Sequence, residues 1–182
     1  DHKKELVDWG YEFKSTTDTE VVLALYLKYG FRGMVDRLNG MFAIVIADLR
    51  EGRMYIVRDR FGIKPMYYYA APDVLAFSSE LKSFRYLDNF KFQLDESQLS
   101  EYLIFRNNVK GTLFRGIHSL EPGHFLSFSH DEGLKKERYF NINDYSRNNE
   151  HDTNFESAGK ALEGWLGKSV KSQLMSDVKL GC

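Results

Sequence analysis

The stretch LNGMFAIVIADLREGRMYIVRDRFGIKPMYYYAAPDVLAFSSELK, residues 38–82, decides the fold. Its apolar runs are divided by short turn signals. Between two of them stands the charged heptad Arg58-Asp59-Arg60-Phe61-Gly62-Ile63-Lys64, closed by Pro65. Met41 to Leu49 reads as a buried strand from its branched, aromatic and small apolar content. Arg50-Glu51-Gly52-Arg53 turns it back into Met54 to Arg58. Met66 to Ala71 is a third strand and, after Pro72-Asp73, Val74 to Phe77 a fourth. Links this short cannot hold parallel crossovers, so the expectation is an antiparallel meander. The heptad itself has two readings. Arg58, Asp59, Arg60 and Lys64 form an ion-paired cluster bracing the strand end, with Gly62 in a tight turn and Pro65 fixing the next strand, or the cations bind an anion. Local sequence leaves both open.

On the N-terminal side, Thr17-Asp18-Thr19-Glu20 has the pattern of a capping box, with Thr17 accepting from the Glu20 amide and Glu20 reaching back to the Thr17 amide. Val21, Val22, Leu25, Tyr26 and Tyr29 recur at helical spacing, and Gly30 suits a left-handed cap. A helix is expected over 18–29, and a second short one over 31–38. On the C-terminal side, Asp95 and Gln98 suggest a helix start before Leu99, Tyr102, Leu103 and Phe105. Glu121-Pro122-Gly123 turns into a strand, His124 to Ser129, with Lys136 to Phe140 as its hairpin partner. Residues 143–154 are polar and lack periodicity, which marks a linker. Beyond it, Phe155 to Met175 reads as one helix, with Ala158, Leu162, Trp165, Leu166, Val170 and Leu174 near one stripe.

A chain of 182 residues, 43% hydrophobic and 28% charged, can bury one substantial core and begin a second unit. Twenty-five basic residues balance 26 acidic ones, so no basic face for nucleic acid or an anionic membrane is implied. No window approaches the roughly 20 apolar residues of a membrane span, and the first residues lack the apolar core of a signal peptide. A single cysteine, Cys182, excludes an internal disulfide. These features set the expectation of an intracellular, cytoplasmic protein. The chain has no initiator Met and stops at Leu180-Gly181-Cys182 directly after a helical pattern, so a fragment of a longer polypeptide is expected.

Few residues invite chemistry. His2, His118, His124, His130 and His151 are scattered and none has a ligand partner at helical spacing, so no metal site is expected. Cys182 has no neighbouring base or helix N-terminus to activate it and reads as a small buried residue. Asp18, the first helical residue, gains about 0.3–1 kcal/mol from the helix dipole. That structural role is the one its spacing favours. A carboxylate so placed could also grip a substrate ammonium group.

Taken in order, these segments resemble one family. Thr17-Asp18-Thr19-Glu20 is similar to its S-D-T-E, Leu38 to Ala43 to its L-N-G-M-F-A, and Arg58 to Pro65 to its R-D-R-x-G-x-K-P. Phe77-Ser78-Ser79-Glu80-Leu81-Lys82 resembles its F-A-S-E-x-K, and Leu120 to His124 its L-x-P-G-H. The family is the class II, N-terminal-nucleophile glutamine amidotransferase domain of glutamine-hydrolysing asparagine synthetases. The resemblance covers residues 1–142, and Ser169 to Gly181 resembles the S-D-V-P-x-G opening of the synthetase domain, with Lys179 where proline is usual. It divides the chain into an amidotransferase part (1–142), a linker (143–154) and the start of an ATP-binding domain (155–182).

The resemblance implies an α+β fold, a four-layer αββα sandwich of two antiparallel sheets, here incomplete. An N-terminal cysteine attacks the glutamine amide, an Asn-Gly pair forms the oxyanion hole, and ammonia passes through a tunnel to an aspartyl-adenylate made with ATP and Mg. The nucleophile, the oxyanion segment and the arginine that holds the glutamine carboxylate lie upstream in the family, so no catalytic residue carries over. Asp18 matches the aspartate that holds the α-amino group of glutamine, which reverses the preference from spacing. Met41 and Ile63 match positions near the tunnel, and Arg58, Asp59 and Arg60 read as scaffold. The implied partners are L-glutamine and, through the synthetase domain, aspartate and ATP. A homodimer is left open. The other reading is a non-catalytic amidotransferase-like binding or assembly module that has lost its nucleophile.

Overall fold

The apolar periodicities resolve into helices and strands across residues 2–108, 111–146 and 154–174, which the structure, a computed structural model, describes. In chain order these are α1 (His2–Asp8), α2 (Asp18–Arg37), β1 (Ala43–Asp48), β2 (Arg53–Arg58), β3 (Tyr67–Ala71), β4 (Val74–Ser78), α3 (Leu99–Phe105), β5 (Ile117–Ser119), β6 (His124–Ser129), β7 (Gly133–Arg138), α4 (Asn143–Ser146) and α5 (Phe155–Gln173). Short 3₁₀ turns cover Leu81–Tyr86 and Glu96–Gln98. By contacts the chain divides into two units, 1–141 and 142–182.

Alternation along the strands sorts side chains onto two faces. In β1, Ile44 and Ile46 point one way, Ala43 and Val45 the other. β2 pairs antiparallel with Ile44 opposite Val57 and Ile46 opposite Tyr55, so both faces continue. β6 takes the other edge of β2 and β7 follows as a hairpin, giving the order β1-β2-β6-β7. On one face, Val57 and Phe125 bury Leu6 of α1 and Ala24, Leu25, Phe31, Met34 and Val35 of α2. Phe31 stacks on Tyr55 with ring centroids 4.0 Å apart. Each such large side chain contributes about 1.5–3 kcal/mol by leaving water.

β3 does not continue this sheet, so the expected meander is broken after β2. Residues 59–66 carry the chain into a second antiparallel sheet of order β4-β3-β5. Two stacked sheets cover each other's apolar faces: Ile56 and Leu126 of the first meet Met66 and Leu120, with Tyr68 and Leu75 of the second packed beside them. A single meander would leave that face wet. The class is α+β, with two stacked antiparallel sheets and the helices α1 and α2 on one side.

The crossover is held by hydrogen bonds to backbone groups, not by the ion pairs of the first of the two readings left open for the heptad. The Asp59 carboxylate, 1% exposed, accepts from the backbone N–H groups of Phe61 (3.1 Å), Ile63 (3.0 Å), Lys64 (2.9 Å) and, across on the approach to β1, Phe42 (3.3 Å). The Arg58 guanidinium donates to the carbonyls of Lys64, Gly62 and Leu120 and to Ser119 Oγ, at 2.6–3.2 Å. Arg60 Nη2 donates to the Asp36 carbonyl in the last turn of α2, where the helix dipole is negative. Gly62 turns at φ 66, and a Cβ there would sit 2.8 Å from Pro122 Cγ.

At Gly30, φ 69 and ψ 178 lie outside the left-handed cap region expected for it. This region is essentially closed to side chains, and Gly30 uses it to kink α2 between two helical pieces. The second unit holds α4 and α5. Of the segment read as a linker, residues 147–153 lie outside the described residues, as does Met175. Asn154 caps α5 by accepting from the Ser157 amide at 2.9 Å. The α5 stripe of Leu162, Trp165, Leu166, Val170 and Leu174 is exposed.

Replacing Asp59 by Ala strands several backbone donors, each costing about 1–3 kcal/mol when buried without a partner. Asp59→Ala is expected to lower unfolding free energy in urea by at least about 3 kcal/mol. A loss below about 1 kcal/mol would show that water or backbone shifts replace the carboxylate.

Candidate functional site

The start of α2 carries the candidate substrate contact, and its local geometry differs from the capping box. The Thr17 side chain makes no cap bond to the helix. Its hydroxyl lies 2.9 Å from Ser15 Oγ instead. Glu20 reaches past Thr17 and clasps the preceding loop. Its two carboxylate oxygens accept from the Lys14 N–H (2.8 Å), the Ser15 N–H (2.7 Å) and the Ser15 hydroxyl (2.5 Å). The Lys14 amide, then the Ser15 hydroxyl, hold the Glu20 carboxyl below its ordinary range. The S/T-x-x-E pattern was a sound signal for the helix start. It could not say which amides the glutamate would choose, because that depends on how residues 11–16 approach.

Asp18 stands inside this clasp as the first residue of α2. It is exposed, and its carboxylate has no hydrogen bond or ion pair with the described residues. The clasp therefore fixes the backbone beneath Asp18 and leaves both carboxylate oxygens available to a cation.

Four of the segments singled out in the sequence converge elsewhere, around Arg58 and Asp59. The Asp59 carboxylate takes the Phe42 amide, and the Asp59 N–H donates back to the Phe42 carbonyl at 2.9 Å. Arg58 grips Ser119 and Leu120, while the Gly123 N–H donates to the Asp59 carbonyl at 3.0 Å. Leu81 joins Arg58 in lining one cavity. Met41 and Ile63 each adjoin or carry an amide bound by Asp59, and both are half-exposed. Tyr139 closes the group by donating to the Arg58 carbonyl at 2.8 Å, and burial pushes its hydroxyl pKa up. Sequence reading missed Tyr139 and the joining of the 58–65 and 120–124 segments. Fifty-four residues, 66–119, separate those two, and no periodicity links them.

Asp18 is not among the residues brought together at the crossover. Among the described histidines, His118 packs against Tyr68 and His124 Nδ1 lies 2.9 Å from the Pro122 carbonyl. His151 and Cys182 lie outside the described residues. Among those described, no group of three or more His, Cys, Asp or Glu is placed to hold a metal ion, and no helix is long and apolar enough to cross a membrane.

Comparison with known proteins adds the following. Residues 1–140 match the family model described as a glutamine amidotransferase domain. The chain is similar to asparagine synthetase [glutamine-hydrolyzing] 3 of Bacillus subtilis (strain 168), 34% identical over 180 residues, which cover 98% of this chain and 28% of the relative. It is also 34% identical over 179 residues to asparagine synthetase [glutamine-hydrolyzing] 2 of the same organism, covering 93% of this chain and 24% of the relative. The chain thus spans less than a third of the length of these relatives. Among solved structures, the glutamine phosphoribosylpyrophosphate amidotransferase of B. subtilis superposes with a TM-score of 0.53 at 22% identity. That superposition covers 76% of this chain and 26% of the other, and is a likeness of fold.

The Glu20 clasp is pH-dependent with a definite sign. Its folded pKa lies below the ordinary value of 4.5, so its stabilisation is complete above that value and fades as pH falls through the folded one. Glu20→Gln is expected to melt below wild type near neutral pH, and the gap should close on acidification. Equal gaps at about pH 7 and about pH 3 would mean that the charge is not what holds the loop.

Proposed function

This chain belongs to the glutamine amidotransferase domain family, and on that premise we propose that it forms the glutamine-gripping part of a longer, ATP-dependent asparagine-forming enzyme. The observation that carries the reading is Asp18, an exposed carboxylate without a partner among the described residues, on a backbone pinned by Glu20. In this reading Asp18 accepts from the α-ammonium group of glutamine. Such charge-assisted bonds contribute about 1.5–3 kcal/mol and orient the ligand as well as hold it. Fixing the α-ammonium end leaves the side-chain amide to be presented to a nucleophile, which is where orientation lowers the barrier.

The single cysteine, Cys182, lies beyond the 1–140 family match. The reading therefore assigns attack on the amide to a residue outside these 182, and the ammonia to an acceptor site on a further segment. Aspartate is the proposed acceptor, activated with ATP and Mg on that segment. Residues 155–182 begin it, and 143–154 link the two parts. Co-linear similarity to the synthetases through residues beyond 142 supports this division.

In the longer protein, Asp18→Ala is expected to lower glutamine-dependent kcat/KM by about 10- to 150-fold, the kinetic equivalent of one charged hydrogen bond. Ammonia-dependent synthesis should stay near wild type. Equal loss of both activities would assign Asp18 a structural role.

The purified 182-residue polypeptide is expected to form no stoichiometric glutamate from glutamine, by a coupled glutamate assay. Stoichiometric hydrolysis by this polypeptide would overturn the assignment of the nucleophile to another segment, and Cys182→Ser would then show whether Cys182 or another residue of the chain is the nucleophile.

A further inference from the structure

A cavity of about 410 Å³ lies between the crossover and the residues that follow α3. Its size is within the range of about 300–1,000 Å³ typical of small-molecule sites. Arg58 and Arg106 line it, with Tyr67, Tyr102 and Asn107 beside them, and no Asp or Glu is among the described residues on its wall. The charge on Arg58 is fixed but not neutralised, because all four of its bonds go to neutral carbonyl and hydroxyl oxygens. The Arg106 guanidinium has no hydrogen bond or ion pair with the described residues; only its backbone N–H is engaged, with the Tyr102 carbonyl. Two cations thus face one polar hollow without a counter-charge.

The backbone of Arg106 adds an independent observation. It caps α3 in the left-handed region, φ 53 and ψ 23, although it carries a Cβ. That conformation costs a residue other than glycine about 1–2 kcal/mol. A cation complements the negative end of a helix, which accounts for an arginine near this position but not for one in a glycine's conformation. Residues held in such conformations cluster at ligand sites.

We propose that this cavity binds a compact oxyanion, the phosphate or carboxylate group of a small metabolite, between the guanidinium groups of Arg58 and Arg106. Arg58 is pre-positioned by the crossover and supplies a fixed charge. Arg106 is free to close its planar fork on the ligand, a geometry suited to both anion types. The side chains of Asn107, Tyr67 and Tyr102 have no hydrogen bond with described residues, and their donors are available to the remaining oxygens. The site takes up the anion-binding reading of the charged heptad: Arg58 braces the sheets through bonds to neutral oxygens and keeps its charge for an anion.

Calorimetric titration of the 182-residue chain at constant ionic strength, with sodium phosphate in one arm and sodium succinate in the other, tests this. At least one should bind with a Kd of about 1 mM or tighter, and the arm that does so identifies the anion class. Arg106→Gly removes the cation and suits the left-handed backbone, so it should weaken binding by at least about tenfold while the unliganded Tm stays equal or rises. Arg106→Asn, also tolerant of that conformation, should behave alike. Arg85→Gln, an exposed arginine away from the cavity, should bind as wild type. Binding of neither anion up to about 10 mM, undiminished binding in Arg106→Gly, or an equal loss in Arg85→Gln would each overturn the proposal.

Discussion

A carboxylate almost without water contact, Asp59, is the constraint on which the rest of this architecture depends. A buried charge is tolerable only when its lone pairs are taken up, and here four backbone N–H groups take them. Three come from the crossover and one from the approach to β1. The charge is fully satisfied only when both segments are in place, so the two form together. The reverse holds as well. Phe61, Ile63 and Lys64 belong to no strand, and their amides would be unpaired without the carboxylate.

That mutual requirement explains why the chain leaves the first sheet after β2. A hairpin after Arg58 would pair β2 with β3 and leave the Asp59 side chain without donors. The folded-over crossover directs β3 into a second sheet and frees the edge of β2 for β6. Arg58 then spans to Ser119 and Leu120 beside β5, and Arg60 to the end of α2. One run of charged residues ties the helix layer, the first sheet and the second sheet at a single point, and the apolar cluster of Ile56, Met66, Leu120 and Leu126 fills the space between the sheets.

Legibility in the sequence followed the range of the interaction. Strands β1, β2, β3, β4 and β6 and helices α2 and α5 were readable because period and turn residues are local signals. The place of β3 in a second sheet was not, since nothing between Arg58 and Tyr67 encodes which edge β2 will offer. The same limit applied to charge. Arg58, Asp59 and Arg60 look like partners on paper, yet each turns to backbone groups, including some that arrive from elsewhere in the chain: Leu120 for Arg58, Phe42 for Asp59 and Asp36 for Arg60. Strand β5, only Ile117–Ser119, was missed because a three-residue strand has no period to detect. At the candidate site, Asp18 is proposed from the family pattern, whereas the reach of Glu20 to Lys14 and Ser15 depends on loop geometry that no local signal carries.

The separation of Asp18 from the crossover has a physical logic for an amidotransferase. A substrate-gripping carboxylate, the role proposed for Asp18, must remain uncompensated until ligand arrives, so it cannot sit among the donors that satisfy Asp59. The fold keeps the two carboxylates in opposite conditions. Asp59 is dry and saturated with amides, and structural. Asp18 is wet and has no partner among the described residues, held through its backbone by the Glu20 clasp. A rigid crossover carries Ile63 and anchors the approach on which Met41 lies, while the first turn of α2 offers a free charge on a fixed frame. Rigidity and availability are therefore assigned to different acids, and each environment follows from which backbone amides its neighbours bring within reach.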